Sequence, residues 1–407
     1  MAANRPGTLQ GLKVIDTASF LAGPCAATIM SDYGADVIKI EPLHGDGHRR
    51  LSGAYPIDYT WQLTGRNKRS LALDFTTAAG RDVLLKLVDS ADVILFNLRA
   101  DQLARYDLSY ETLRARNPRI VYAQISGYGL EGDEAARRAF DITGWFARTG
   151  ILDVMHDKDV APAPPAGGVG DHATAMTLFG AIMLTLYRRE QTGEGGMVST
   201  SLAAMGAWAN GLSLAGVLAG FDSTERRDEE GWSNPFSRIY ATGDGRHLML
   251  ALAAPRDEWP RLAKALGRPE LSADPRFADI RAALKNRHAL CEAIASAFAT
   301  MTIDEADAKL KAADVTFSLV ARLKEVVGDP QLIANGLVVA TDSNEPGYDR
   351  TLASPFKVHD EAQRTPTRAP AIGEHSRALL TEHGFDEAQI EALIGAGVVG
   401  DPSSRRA

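Results

Sequence analysis

The sequence predicts an α/β protein with a large domain built on a mostly parallel sheet and a smaller α+β domain. Three observations carry this prediction. Strand-like and helix-like segments alternate through the first third of the chain. A different pattern, a strand pair followed by amphipathic helices, begins near residue 238. The chain has 407 residues, of which 45% are hydrophobic and 24% charged, enough for a core in each of two domains.

The first strand–helix–strand unit is predicted at residues 12–42. LKVIDTA (12–18) reads as a short apolar strand, and GPCAATIMSDYGA (23–35) as a helix that closes at Gly34. DVIKIEP (36–42) reads as a second strand, which Pro42 ends. A connection through a helix makes these two strands parallel.

The same alternation continues along the chain. Further strands are predicted at RSLALDF (69–75), ADVILFN (91–97) and RIVYAQISGYG (119–129), with a helix across 78–90. An open, Rossmann-like sheet with right-handed crossovers follows from these units. A helix that is apolar on nearly every face then begins near Asp171, and MVSTSL after it predicts another strand. An apolar helix is expected across 203–219.

A smaller domain is predicted after a charged, aperiodic linker at 221–236. Two strands about a Gly-Asp-Gly turn (238–252) precede amphipathic helices, expected at 256–267, 278–299 and 303–312. The predicted domains are therefore a large α/β domain at 1–224, a small α+β domain at 225–327, and a return segment at 328–407 that completes the first.

Composition restricts the classes of partner and compartment. The formal net charge is -8, and scattered basic residues on an acidic chain argue against a nucleic-acid surface. The N-terminal stretch lacks the apolar core of a signal peptide, and no stretch looks long and apolar enough to span a bilayer. Cys25 and Cys291 form no disulfide framework and are expected to be buried and inert. We therefore expect a cytoplasmic protein with no membrane partner.

One acid draws attention because it lies between a glycine cluster and a long apolar run. In GGVGDHATAM (167–176), Asp171 is predicted at a helix N-cap. The first interpretation is that it only caps that helix. The second is that its carboxylate is a nucleophile in acyl transfer, with nearby backbone N–H groups holding the oxyanion. The residues alone leave both interpretations open and name no substrate.

Other kinds of site have weaker support. The turn DTASFLAGPC has one glycine where a dinucleotide fingerprint needs three, although Glu41 ends the second strand as a ribose-binding acid would. The histidines do not show metal-ligand spacing, so no metal is expected, and His172 reads as a packing residue. No Gly-x-Ser-x-Gly elbow occurs.

Several segments together resemble one family, the class III CoA-transferases (CaiB/BaiF type). The opening GLKVIDTASFLAGPCAATIMSDYGADVIKIEPLHGDGHR is similar to the opening of that family. The resemblance continues in order through RNKRSLALDF, ADVILFNLRADQLARYDL, NPRIVYAQISGYG, GVGDHATAM, RREQTGEGGMV, LGRPELSADPRF and GDPQLIANGLVV, and so covers almost the whole chain.

The resemblance implies a homodimer of interlocked, ring-like subunits and a covalent mechanism. Asp171 matches the catalytic aspartate, which passes CoA between two acids through anhydride and aspartyl-CoA thioester intermediates. CoA enters as a substrate, and no prosthetic group is implied. In this interpretation the glycines leave room for a thioester, and the helix start keeps the carboxylate ionised. The same family contains acyl-CoA racemases, and a non-catalytic CoA-binding module is the alternative from another class.

The resemblance also assigns CoA contacts position by position. Arg105 matches a basic CoA ligand, Arg138 matches a basic residue near the CoA phosphates, and Asp141 is the acid that follows it. The remaining predicted contacts lie at the ends of two strands: Asn97, and Leu73, Asp74, Phe75 and Thr76 along the adenine.

Departures from the family pattern restrict the type of reaction and of substrate that is expected. The loop after the fourth strand reads NLRAD, so Ala100 and Asp101 replace a turn-forming pair, and YATGDGRHL lacks a glycine-rich lid. Leu21 replaces a glutamine of formyl-CoA transferases, which disfavours an oxalate-type substrate. Phe140 replaces the histidine of the racemases and cannot move a proton, so a transferase is favoured.

The identity of the acid is open. Arg49 and His48 follow the second strand and could lie at the mouth of the pocket, where a cation would suit the distal carboxylate of a dicarboxylic acid. An arginine that only holds its loop fits the same sequence.

Overall fold

The computed structural model describes residues 7–49, 51, 57–156, 160–222, 224 and 234–402. The predicted linker at 221–236 lies mostly outside these residues. Twelve strands occur in the described part of the chain. They are β1 (Lys13–Asp16), β2 (Asp36–Glu41), β3 (Arg69–Leu73), β4 (Val93–Phe96), β5 (Val121–Ser126), β6 (Gly196–Ser201), β7 (Ser237–Ala241), β8 (His247–Ala251), β9 (Phe317–Leu319), β10 (Val338–Ala340), β11 (Arg350–Leu352) and β12 (Val399–Gly400).

Helices connect most of these strands. They are α1 (Ala22–Asp32), α2 (Tyr59–Gly65), α3 (Ala78–Val88), α4 (Ala100–Arg105), α5 (Tyr110–Arg116), a π-helix (Ile142–Ala147), α6 (Ile151–Val154), α7 (Val169–Thr192), α8 (Leu202–Ala209), α9 (Gly211–Leu218), α10 (Pro255–Ala265), α11 (Glu270–Ala273), α12 (Ile280–Lys285), α13 (Arg287–Phe298), α14 (Ile303–Ala312), α15 (Leu323–Val326), α16 (Pro330–Ala334), α17 (Ser376–Glu382) and α18 (Glu387–Gly395).

The chain forms two compact units. The first comprises the residues up to Asp153, Pro164–Leu218 and the chain from Pro330 onward, and the second comprises Val154–Ala163 and Ala219–Asp329. The domain limits inferred from sequence, 1–224, 225–327 and 328–407, stay predictions.

The first unit contains a seven-stranded sheet in the order β12-β3-β2-β1-β4-β5-β6. Its first six strands along the chain pair in parallel, as predicted, and β12 pairs antiparallel with β3. The end of the chain therefore returns to the first sheet. The order reverses direction at β1, because the chain runs from β1 to β2 and β3 on one side and resumes at β4 on the other.

Helices cover both faces of this sheet, because its central strands are apolar on both sides. Alternate residues of one strand enter different cores: Ile15 packs with helices α3 and α5, whereas Val14 packs with α1 and α7. Tyr122 and Val121 of β5 divide in the same way. This alternation explains why the strands read as continuous apolar runs.

The helix that carries Asp171 is less buried than predicted. Only one face of α7 packs into the core, through residues such as Thr174, Leu178 and Ile182, while Leu184 and Tyr187 are exposed. Contrary to the sequence-based expectation that no stretch is long and apolar enough to span a bilayer, this 24-residue helix passes that test by length and composition, with a mean hydropathy of 1.2. It is nevertheless a core helix of the sheet, since its buried face joins the same cluster as β1, β4 and β5.

Two predicted helices are each divided in the structure. The segment predicted at 203–219 forms α8 and α9, separated at Asn210, whose side chain donates to the Thr149 carbonyl at 3.0 Å. The segment predicted at 278–299 forms α12 and α13, separated at Asn286, where φ is -109° and ψ is 30°. Periodicity alone does not reveal such breaks, because the apolar pattern continues across them.

The second unit has its own core. Strands β7, β8 and β9 form an antiparallel sheet, and the predicted turn between β7 and β8 is confirmed, with Gly245 at a φ of 75°. Helices α10 to α14 supply the other side of that core, which includes Trp259, Phe277 and Phe298.

Candidate active site

The site is built around the first turn of α7, and Asp171 is not its N-cap. Gly168 is the N-cap, so Asp171 is the third residue of the helix. The capping carboxylate belongs to Asp141, whose Oδ2 accepts from the N–H groups of Gly168 at 2.7 Å and Gly170 at 3.1 Å. The capping interpretation of Asp171 is therefore wrong, because a residue distant in sequence does that work and leaves Asp171 available.

The local structure explains why two of the positions before Asp171 are glycine. Gly168 has a φ of 90°, a left-handed conformation that favours glycine. A Cβ on Gly170 would lie 2.6 Å from Cγ of Trp145, so no side chain fits there. These are local structural requirements, and the interpretation that the glycines also leave room for a thioester stays a prediction.

The carboxylate of Asp171 is only partly buried, and it makes no hydrogen bond to any residue that the structure describes. Burial and, to a lesser extent, the neighbouring Asp141 carboxylate raise the pKa of Asp171, His172 opposes them, and the resulting pKa is about 6. The helix start is expected to favour the ionised carboxylate, whereas burial and Asp141 work against it. At neutral pH the group is still mostly ionised, and it is more basic than an ordinary aspartate.

Replacing Asp171 by asparagine is expected to stabilise the protein at pH 8 and to stabilise it about half as much at pH 5. A carboxyl group whose folded pKa is raised costs stability in full above the folded pKa, and the cost disappears only below the unfolded pKa, where both states are protonated. With the pKa moving from 3.8 to about 6, and water screening the exposed part, we expect a gain of about 1–2 kcal/mol at pH 8. Chemical denaturation of both proteins at the two pH values measures it. An equal effect at both pH values would contradict the assigned pKa.

Asn97 lies at the point where the strand order reverses. Its Oδ1 accepts from the N–H of Ser19 at 3.0 Å, and its Nδ2 donates to the Ser19 carbonyl at 2.9 Å. These bonds join the ends of β1 and β4. Ligands of open α/β sheets bind at such a switch point, beyond the carboxyl ends of the strands. Asn97 therefore shapes this loop, and its amide is already occupied.

The predicted adenine segment and Arg105 lie together. The ring of Phe75, after β3, is 6.1 Å from the ring of Tyr106, which directly follows Arg105 at the end of α4. Asp74 accepts from Thr76, through its N–H at 3.1 Å and its hydroxyl at 2.6 Å, which forms a tight turn. Leu73 is buried in the core, so only its backbone is available to a ligand.

The two predicted basic ligands are both exposed. Within the described ranges, neither Arg105 nor Arg138 forms an ion pair, so both are available to an anion. Asp141, which the resemblance assigns to CoA, differs: it is buried, and its oxygens accept from three backbone N–H groups, Ile142 included. The structure gives Asp141 the role of holding the helix start.

Arg49 is committed to its own loop. Its Nε and Nη2 donate to the two oxygens of Glu41, each at 2.8 Å, and Nη2 also donates to the Pro370 carbonyl at 3.0 Å. Its guanidinium lies 3.8 Å from the centre of the Trp61 ring. The loop-holding interpretation is favoured, and a dicarboxylate hypothesis loses the cation that motivated it.

A group of buried charges near β1, β2 and β3 was missed from the sequence. Lys39 lies 3.0 Å from Oδ2 of Asp46 and 3.9 Å from Oδ1 of Asp16, and Lys68 lies 2.9 Å from Oδ2 of Asp16. All four side chains are almost fully buried. The signal was a lysine inside the apolar strand DVIKIE, since lysine is rarely buried without a partner.

Metal binding has no visible basis in the described ranges, where no group of three or more His, Cys, Asp or Glu side chains could hold an ion. Cys25 and Cys291 are both buried and unpaired, as predicted.

Comparisons with known proteins identify the family of this chain. The model of the family described as CoA-transferase family III matches residues 9–376. The chain is 30% identical to cinnamoyl-CoA:phenyllactate CoA-transferase of Clostridium sporogenes, over 96% of this chain and 97% of the relative. It is 31% identical to succinyl-CoA:mesaconate CoA-transferase of Haloarcula hispanica, over 93% and 97%. A CAIB/BAIF family protein from Brucella suis has a similar crystal structure, with a TM-score of 0.82 and 28% identity over 93% of this chain and 100% of that chain.

Proposed function

This chain belongs to CoA-transferase family III, and on that premise we propose that Asp171 is the nucleophile that passes CoA from an acyl-CoA thioester to a carboxylic acid. The observation that carries the proposal is a carboxylate in the first turn of α7 that makes no hydrogen bond to a described residue. Structural carboxylates of this chain, such as Asp141 and Glu41, have their oxygens occupied.

The proposed reaction balances at each step. An oxygen of Asp171 attacks the thioester carbonyl carbon, the C–S bond breaks, and CoA leaves as a thiolate, which gives a mixed anhydride. The thiolate attacks the aspartyl carbonyl and releases the donor acid, which leaves an aspartyl-CoA thioester. The acceptor carboxylate displaces the thiolate to form a second anhydride. The thiolate then attacks the acceptor carbonyl, forms the new acyl-CoA and frees Asp171.

The helix start supports these steps electrostatically. The N–H groups of Val169 and Asp171 donate to no described residue, so they are available to an oxyanion. The partial positive charge of a helix N-terminus favours the same charge. Asp141 occupies the N–H groups of Gly168 and Gly170 and so fixes the direction of the turn.

We place CoA along the carboxyl ends of β3 and β4. Arg105 and Arg138 are exposed cations suited to phosphate, because a guanidinium donates in pairs from a planar fork. Phe75 and Thr76 offer a ring and a hydroxyl beside Arg105, and the backbone of Leu73 and Asp74 lies at the same edge. Asn97 shapes the neighbouring loop.

Replacing Arg105 by alanine is expected to raise KM for acyl-CoA about tenfold, with a smaller effect on kcat, because a phosphate contact of about 1–2 kcal/mol is lost. Steady-state kinetics measures the two constants. Arg116→Ala is the matched control: it also ends a helix of the first unit, but it pairs with Asp89 before β4, at the opposite edge of the sheet. An unchanged KM in the Arg105 variant would remove this residue from the site.

We further propose a homodimer, interlocked as the resemblance implies. Helices α8 and α9 expose large apolar side chains: Trp208 is 81% exposed, Leu212 92% and Leu218 90%. Apolar residues clustered in this way mark an interface. Light scattering is expected to give about twice the chain mass of 43.7 kDa. Leu212→Asp should reduce that mass or the yield of folded protein, and Leu212→Met should not. A monomeric native protein would refute the assembly.

Two alternative functions are tested by isotope exchange. A CoA-binding module would bind CoA without exchanging a labelled acid into acyl-CoA, whereas the proposed transferase exchanges it. In deuterated water, a racemase would exchange the proton on the carbon next to the thioester carbonyl for deuterium. Phe140, which is 58% exposed at the position of the racemase histidine, cannot move that proton. We expect acid exchange and no deuterium incorporation.

The cellular setting is also a proposal. The two buried, unpaired cysteines fit a reducing cytoplasm, and CoA serves only as a substrate, with no prosthetic group required by the steps above.

A further inference from the structure

The loop between β1 and α1 contains a strained residue. Phe20 has a φ of 66°, in the left-handed region that residues with a side chain rarely adopt, and it is 38% exposed. Such a conformation is energetically unfavourable and persists only where the surrounding contacts fix it. Strained residues cluster at functional sites, yet the reaction steps proposed above assign no role to this loop.

A buried ion pair fixes the loop. Oδ1 of Asp46 accepts from the N–H of Phe20 at 3.0 Å, and Oδ2 of Asp46 lies 3.0 Å from Nζ of Lys39. The same ammonium donates to the carbonyl of Ala18. The Lys39–Asp46 pair therefore binds the loop backbone at two points, one on each side of Ser19.

The pair is ionised although it is almost fully buried. Each side chain is 1% exposed. Burial by itself would lower the pKa of Lys39, but Asp16 and Asp46 raise that pKa above its ordinary value. Burial by itself would raise the pKa of Asp46, but Lys39 and two backbone N–H groups lower it. Apolar residues often stabilise a fold as well as a buried ion pair does, so the contribution of this pair is to be sought in the geometry that it imposes.

Leu21, which follows Phe20, packs against the start of the helix that carries Asp171. Its Cδ2 atom lies 3.1 Å from the point where a Cβ on Gly168 would be. Gly168 is the N-cap of α7, with a φ of 90°, so the direction of the helix is set at this residue. Asp171 follows in the first turn. A displacement of Leu21 would therefore allow the first turn, and with it the carboxylate of Asp171, to move.

A second contact reaches the same turn through its capping residue. The ring of Phe20 lies 5.6 Å from the ring of Phe140, in an edge-to-face arrangement. Phe140 directly precedes Asp141, which caps α7 through the N–H groups of Gly168 and Gly170. The loop of Phe20 thus contacts both the N-cap of α7 and the segment that holds this cap in place.

We propose that the Lys39–Asp46 pair positions the nucleophile of the transfer reaction. The pair holds Phe20 in its strained conformation, and the contacts of Phe20 and Leu21 then fix the first turn of α7. This inference rests on the proposed function and adds two positioning residues to it, since both side chains are buried and act only through the loop. A displacement of about 1 Å at a reacting group can slow a reaction about 10²-fold. The pair should therefore affect kcat more than KM.

Two substitutions test the pair from its two sides. In Asp46→Asn, Oδ1 can still accept from Phe20, but a donor replaces the anion that faces Lys39, whereas Lys39→Met removes the cation. For each variant we expect kcat to fall about 10- to 100-fold, with KM for acyl-CoA changed less than about threefold, because Arg105 is untouched. The double variant should lose no more than the more affected single variant, since the two residues act as one unit. Steady-state kinetics measures these constants.

Phe20→Gly tests the loop without unpairing a buried charge. Glycine adopts a positive φ without strain, so this exposed position should tolerate the change and the protein should remain folded. The loop becomes freer and loses its contact with Phe140, so kcat should fall about tenfold, again with little change in KM. Full kcat in this variant would overturn the inference, whether or not the variants of the buried pair fold.

Arg66→Met is the matched control for stability. Nη2 of Arg66 lies 2.8 Å from Oδ2 of Asp32, the last residue of α1, so this substitution breaks another buried pair at the end of that helix away from the loop. It should lower the thermal midpoint, measured by circular dichroism, about as much as Lys39→Met and leave kcat within about twofold. A loss of kcat equal to that of Lys39→Met would show that the effect follows stability, which contradicts a positioning role.

The same measurements separate this inference from the proposed function. Folded Asp46→Asn and Lys39→Met enzymes with the kcat of the wild type would exclude the positioning role and leave the Asp171 mechanism intact. Absence of CoA transfer by the wild-type enzyme would instead count against the proposed function, and the inference would fall with it.

Discussion

Asp171→Ala is expected to lower CoA transfer by about 10⁴-fold or more, because the proposed covalent intermediate forms on the carboxylate that this substitution removes. CoA affinity should change little, since the proposed CoA contacts lie at the ends of β3 and β4. Transfer is measured by exchange of a labelled acid into acyl-CoA, and affinity by calorimetry.

Trapping identifies the intermediate directly. Hydroxylamine should convert an aspartyl-CoA thioester to a hydroxamate, and borohydride should reduce it to an alcohol, each on Asp171 and only during turnover. Peptide mass spectrometry reads both products. Asp82→Ala, at an exposed aspartate of α3, is the matched control and should retain transfer and trapping. Normal turnover by the Asp171 variant would end the proposed mechanism.

The largest expected effect on stability belongs to Lys68. Its ammonium, fully buried, donates to Oδ2 of Asp16 at 2.9 Å and to the Pro24 carbonyl at 2.7 Å. Lys68→Met keeps the volume and removes the charge, which leaves Asp16 with only the longer contact to Lys39 at 3.9 Å. We expect a loss of about 3–5 kcal/mol in the free energy of unfolding, the usual result of breaking a buried pair.

A second substitution separates charge from packing. Lys68→Met combined with Asp16→Asn should recover part of the loss, because the uncompensated anion is gone. Arg261→Met, which breaks the exposed pair with Asp314 at 2.8 Å, should cost at most about 1 kcal/mol. Chemical denaturation of the four proteins measures these differences. Equal losses for Lys68→Met and Arg261→Met would mean that the buried pair of Lys68 and Asp16 stabilises the protein no more than an exposed ion pair does.

The parallel sheet was predictable from the sequence because its signals are local. Apolar runs such as KVID and VILF, separated by helix-length segments, already predict parallel strands and a doubly covered sheet. Asp171 could be placed near a helix start for the same reason. The glycines before it indicate a loop, and the long apolar run after it indicates a helix. Helix breaks such as Asn286 were not predictable, because the apolar pattern runs through them.

The site depended on residues that are far apart in sequence. Asp141 caps α7 from 27 positions before Gly168, and no local pattern distinguishes that role from the CoA contact that the resemblance assigns. Arg49 illustrates the same limit. The sequence shows only a cation near the end of a strand, whereas the folded chain shows that its guanidinium is bonded to Glu41 and to the Pro370 carbonyl.

The sequence by itself therefore determined the strand and helix pattern, the family and the candidate nucleophile, because each rests on neighbouring residues or on an ordered set of motifs. The tertiary structure decided which polar groups are occupied and which are left open. Hydrogen bonds and ion pairs form between whichever groups the packed elements bring within about 3 Å. That is why only the folded chain shows that the oxygens of Asp141 are occupied while the carboxylate of Asp171 makes no hydrogen bond to a described residue.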